Sequence, residues 1–135
     1  MNVVRILVAV LLTAVTLSPA ALAEDPAGPT IKVVPLQPGD QSYLLLLKGP
    51  PETKSFRSGL VTLAPGKSIG VHNSGVNEEM LVPLEGEGEL RFPDRPAVRI
   101  KPGLITYAPA HTAHDVVNTG TTQLRYIFIT ARAEW

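Results

Sequence analysis

The chain carries three histidines, His72, His111 and His114, and all of them fall near turn signals in segments that also hold unusual polar residues. The first segment runs from Pro65 to Gly86 and includes Glu78 and Glu79; the second runs from Pro102 to Asn118. Side chains two apart on a strand share a face. His72 and Ser74 therefore point the same way if extended, as do His114, Val116 and Asn118. If His72, Glu79 and His114 converge, they offer two imidazoles and one carboxylate. Such a set suits a divalent transition metal with open coordination positions, where substrate or dioxygen binds. Zinc accepts the same ligands, with water in a fourth place. Each imidazole must be neutral to ligate, so binding weakens as the pH falls well below about 6.5. On spacing alone, the competing reading is that these are turn and surface histidines.

The elements that must position these residues read as strands. Short apolar runs are separated by Gly, Pro, Asp or Asn: Ile31–Leu36, Tyr43–Leu47, Ser58–Leu63, Met80–Leu84, Glu89–Phe92, Val98–Ile100, Leu104–Tyr107, Thr112–Val117 and Leu124–Ile129. Runs of this length, rich in Val, Ile, Leu, Tyr and Phe and punctuated by turn residues, form strands. After the N-terminal segment, no window of a dozen residues holds a 3.6-residue apolar period free of Gly or Pro, which argues against long helices. The expected architecture is an antiparallel sandwich or barrel. Leu124–Ile129 has apolar residues on both parities, as in a strand covered on both faces. Pro83 removes a ladder donor and belongs at an edge or a bulge.

The N-terminus has the layout of a secretory signal. Met1–Arg5 supplies a short positive start, Ile6–Leu17 is almost wholly apolar, and Ala21-Leu22-Ala23 gives the small-x-small cleavage pattern. Cleavage after Ala23 is expected, since the apolar run falls short of the roughly 20 residues that span a bilayer. The domain organisation is then signal peptide 1–23, a flexible polar lead-in 24–30 and one β-barrel domain 31–135, exported to a periplasm or secreted. The absence of cysteine suits an oxidising compartment. With 12 basic and 12 acidic residues and no basic stripe, nucleic acid is excluded as an expected partner, as is a membrane surface after signal cleavage.

The two histidine segments resemble the paired motifs of the cupin superfamily. The family's first motif is a glycine, five residues, His-x-His, three or four residues, a glutamate, six residues and a glycine. Gly66, His72, Ser74, Glu79 and Gly86 match that spacing. The second motif is a glycine, five residues, Pro-x-Gly, two residues, a histidine, three residues and an asparagine. Gly103, Pro109, His114 and Asn118 fall in register with it, and the run Leu84–Leu90 (LEGEGEL) is a common continuation.

The resemblance, over roughly Lys32 to Ala131, implies an all-β double-stranded β-helix or jelly-roll barrel. It also implies one divalent metal (Fe, Mn, Ni or Zn) held by His72, Glu79 and His114. The six-residue count to Gly86 selects Glu79, and alternation then turns Glu78 outward. Two positions depart from the pattern: Ser74 replaces a ligating histidine, and His111 replaces the glycine of Pro-x-Gly. Serine is a poor ligand beside imidazole, so the site is expected to be wider and its affinity lower. His111 is either a replacement fourth ligand or a turn residue with positive φ, which histidine tolerates better than most. Tyr107 lines the pocket or packs the barrel. Asp115 and Asn118 are candidate acceptors that orient a ligand histidine, and Asn118-Thr119-Gly120 also reads as a hairpin turn.

Three functions fit this reading. One is a metal-dependent, dioxygenase-like oxidoreductase (or an isomerase) acting on a small organic molecule. Another is a barrel that binds a small ligand such as a sugar or organic acid without turnover. The third is a structural module whose metal site is lost at Ser74. Exposed sheet edges make a homodimer an expected assembly.

Overall fold

The computed structural model describes residues 29–133, and the signal-peptide segment 1–23 and most of the lead-in lie outside them. Nine strands are present among the described residues: β1 (Tyr43–Leu47), β2 (Phe56–Leu63), β3 (His72–Asn73), β4 (Asn77–Glu85), β5 (Gly88–Arg91), β6 (Val98–Ile100), β7 (Thr106–Ala108), β8 (Ala113–Val117) and β9 (Leu124–Arg132). They form two sheets, ordered β1-β2-β9-β4-β7 and β3-β8-β5-β6, with every pairing antiparallel. The expected all-β barrel is therefore the observed fold. No helix of the described residues is long and apolar enough to cross a membrane.

Alternation decides which side chains meet in the middle. On the large sheet, β9 turns Leu124, Tyr126 and Phe128 inward, opposite Val61 and Leu63 of β2 and Leu81 of β4. The small sheet contributes Leu90, Ile100 and Val116 to the same core. The inner face of β9 is buried, but Arg125, Ile127 and Ile129 on its other face are half-buried, so the expected cover on both faces is partial. Truncating a fully buried core side chain such as Leu90 to alanine costs about 2–5 kcal/mol.

Pro83 sits where a missing donor does least harm. β7 pairs only with Glu79, Met80 and Leu81 of β4, so it does not reach Pro83. The ladder to β9 shifts register between Pro83 and Glu85, which is the expected bulge.

Two expectations change. The run Ile31–Leu36 is not a strand: Ile31 is 100 % and Val33 93 % exposed, and no strand pairs with them. Pro35 removes a donor from this stretch, and Ile31 and Val33 meet no covering sheet. Conversely, β3 is an additional strand of two residues. The chain before it follows β8 in the antiparallel sense, through the Ser68–Val117 bridge and the bond from Ile69 N to Val116 O (3.1 Å), which carries His72 opposite His114.

Asn118 fastens the chain just beyond β8. Its Nδ2 donates to the carbonyls of Leu63 and Thr122, each at 2.8 Å, and its Oδ1 accepts from Gly120 N at 2.9 Å. The side chain thus ties the end of β2 to the turn between β8 and β9. Gly86 makes the neighbouring turn at φ 73°, where a Cβ would lie 2.2 Å from the Gln123 carbonyl oxygen; no other residue fits.

Candidate metal centre

His72 and His114 are cross-strand partners on β3 and β8. Glu79 lies on the inner face of β4, in the other sheet. The site therefore straddles the two sheets, and one ligand atom from each of the three residues falls within 4.8 Å of the others. Glu79 Oε2 lies 3.0 Å from His114 Nε2 and 3.8 Å from His72 Nε2. The two imidazole rings are 4.4 Å apart, edge to face.

Each ring is oriented by the same device. His72 Nδ1 lies 3.0 Å from the Gly70 carbonyl and His114 Nδ1 lies 2.9 Å from the Thr112 carbonyl. A carbonyl oxygen only accepts, so Nδ1 is the donor in both rings, and in a neutral ring Nε2 then carries the lone pair. Both Nε2 atoms face Glu79. Gly70 is itself held, because its N–H donates to Asp115 Oδ1 at 2.9 Å and to Ser68 Oγ at 3.2 Å. Its φ of 91° is a conformation that glycine adopts freely.

The electrostatics follow from this crowding. Burial pushes the Glu79 carboxyl upward, but the imidazoles of His114 and His72 outweigh it and hold the group at about 2. His72 is raised, chiefly by its contact with the Glu79 carboxylate; partial burial opposes this, and the Gly70 carbonyl and Asp115 add to it. Two imidazole lone pairs and a carboxylate facing one another repel unless a cation or a proton lies between them. Ligands about 2.1 Å from one metal, at tetrahedral or octahedral angles, lie roughly 3.0–3.4 Å apart. The observed separations of 3.0 and 3.8 Å sit around that range, so the residues fit a divalent metal.

The remaining expectations separate cleanly. Ser74 lines the pocket, but its hydroxyl donates to the Asn77 carbonyl at 2.7 Å within a tight turn and is not among the grouped ligand atoms. His111 has φ 61°, donates its backbone N–H to Gly75 O at 2.7 Å and lies outside the group, so it fills the turn position. Tyr107 does not line the pocket. Its neighbours Thr106 and Ala108 take the inner face of β7, leaving Tyr107 60 % exposed with its hydroxyl donating to Glu78 at 2.9 Å. Glu78 accordingly faces outward. Asp115 acts on His72 through Gly70, whereas Asn118 touches neither histidine and serves the turn.

A pocket of about 400 Å³ opens from the group, lined also by Tyr43, Arg57, Val61, Ile69, Asn77, Val116, Tyr126, Phe128 and Thr130. Several of these were not singled out in the sequence. Tyr126 is buried and its phenol is pushed well above the ordinary range by burial and by the Glu79 and Asp115 charges, so it stays protonated. Parity with Val61 on β2, combined with the β2–β9 register, is the signal that places Arg57 on the same inner face.

Residues 59–130, over half of the chain, match the cupin domain family and include His72, Glu79 and His114. The fold is similar to a cupin 2 conserved barrel domain protein from Salinispora arenicola, at 23 % identity over 77 % of this chain and 91 % of that one, with a TM-score of 0.63. It is similar to a Bacillus halodurans protein at 21 % identity, over 80 % of this chain and 86 % of that one, with a TM-score of 0.66. A predicted oxalate decarboxylase from Thermotoga maritima is 26 % identical over 67 % of this chain and 78 % of that one, with a TM-score of 0.61. No curated protein matches the chain.

Proposed function

The chain belongs to the cupin family, and from that premise we propose an exported protein that holds one divalent transition metal at His72, Glu79 and His114 and acts on a small organic molecule in the adjoining pocket. The observation that carries the reading is the shared orientation of the two imidazoles, each with Nδ1 bonded to a backbone carbonyl and Nε2 turned to a buried carboxylate. That arrangement presets the ligand tautomer before any metal arrives.

When bound, the metal supplies Lewis acidity and open coordination positions. The protein's own contribution is the surroundings. Val61, Ile69, Val116 and Phe128 give the pocket an apolar part of its wall, and Tyr126 presents a protonated phenol at its lining. With the Ser74 hydroxyl committed to Asn77, a metal would be held by His72, Glu79 and His114 alone and would stay open to small molecules. The Thermotoga maritima protein, described as a predicted oxalate decarboxylase, supports chemistry on a small organic acid. Export rests on residues 1–23, and processing after Ala23 is its test by N-terminal sequencing of the protein recovered outside the cytoplasm.

Elemental analysis of purified protein tests the metal site. Close to one divalent metal per chain is expected, lost in His72→Ala and in Glu79→Ala. A protein that stays metal-free, and whose melting temperature ignores added Fe, Mn, Ni and Zn, ends this reading.

A further inference from the structure

The pocket has a second polar end that the metal does not use. Arg57 of β2 pairs with Thr130 of β9, and Thr130 pairs with Glu79 of β4, so the three residues form one row across the inner face of the large sheet. Neighbouring strands lie about 4.8 Å apart, which puts the Arg57 backbone roughly 10 Å from that of Glu79. Thr130 lies between them, and Val61, Val116, Tyr126 and Phe128 line the same pocket.

Arg57 is held in place without being neutralised. Its Nη2 donates to the Tyr43 hydroxyl at 2.8 Å, and its guanidinium lies 5.9 Å from the centre of the Phe128 ring. Tyr43 stacks on the same ring at 5.8 Å. This clamp depends on Gly59, where a Cβ would stand 2.5 Å from Phe128 Cε1. Arg91, Arg95, Arg99 and Arg125 each pair with a carboxylate, but no described carboxylate pairs with Arg57. A preset guanidinium with donors to spare, lining a pocket with an apolar part to its wall, matches the planar geometry of a carboxylate.

We propose that Arg57 is the anchor for a carboxylate, and that the ligand of this pocket is a small monocarboxylic acid with a flat apolar body reaching from Arg57 toward the His–Glu–His group. The inference rests on the reading of this pocket as the working site, but not on the metal being bound.

The test is isothermal titration calorimetry on the full chain with benzoate, phenylacetate and 3-phenylpropionate, each compared with its primary amide. At least one acid should bind about tenfold or more tightly than its amide, the worth of one hydrogen bond to a charged group. Arg57→Gln should abolish that preference while metal content and melting temperature stay unchanged, and Arg57→Lys should retain part of it. The idea is overturned if no acid outbinds its amide, or if Arg57→Gln keeps the preference. It is equally overturned if the preference vanishes in His72→Ala but survives in Arg57→Gln, since the carboxylate then sits at the metal. Repeating the titration after chelation separates the two readings: an Arg57-dependent preference in metal-free protein upholds this one even where metal loading fails.

Discussion

His114 lies on β8 with its side chain 1 % exposed and its Nε2 3.0 Å from Glu79, whereas His72 lies on the two-residue β3, 41 % exposed and 3.8 Å from the same carboxylate. Both use a carbonyl two residues earlier to fix the ring. The difference is in what else depends on each residue. His114 is part of the packed interior and shields Glu79, while His72 closes the site from the rim. The centre thus combines a rigid half, already assembled by folding, with a half that the Gly66–Ser74 segment brings up against it.

The largest effect that would test this contrast is expected at the buried histidine. His114→Ala leaves the Glu79 carboxylate buried without its closer partner, and should cost about 3 kcal/mol in denaturant unfolding as well as the metal. Of similar size is the pH effect in metal-free protein. Glu79 is held at about 2 against an ordinary 4.5, so its contribution is complete above the ordinary value and is lost as the pH falls toward 2. That loss should be on the order of 3 kcal/mol in acid melts. His72 runs the other way: being raised above 6.5, it stabilises the metal-free fold below 6.5, and that contribution fades as the pH climbs through its raised value. With metal present the same proton competes for Nε2, so metal affinity should rise over the pH range where metal-free stability falls.

His72→Ala should remove the metal as completely as His114→Ala while costing about 1 kcal/mol or less, because the ring is half in solvent. Equal destabilisation by the two substitutions would erase the distinction between the halves. The smallest effect is expected at Asp115→Ala, which frees Gly70 and with it the His72 ring. Metal affinity should drop by on the order of tenfold in a competition titration, with little change in melting temperature.

Sequence reading found what periodicity and motif spacing encode. Eight of the nine strands overlap apolar runs, because a face packed against a core must alternate or stay apolar. His72, Glu79 and His114 were legible from the motif spacing and do come together. What stayed hidden lacks a local signature. β3 is too short to show a period, and its place comes from β8. Ile31–Leu36 looks like a strand, but pairing depends on a partner elsewhere in the chain. Tyr107 was open to two readings because its parity is set by β7 pairing with β4, and Arg57 entered the pocket through a register spanning three strands.

The placement of the ligands on opposite sheets has a consequence for the barrel as a whole. An ion gripped by His72 and His114 on one side and Glu79 on the other would fasten the two layers together. Occupancy and folding are then coupled by mass action. Free metal at a hundred times its dissociation constant would add about 2.7 kcal/mol to unfolding. With metal bound there, scarcity would loosen the layers and shorten the protein's lifetime against proteases and aggregation.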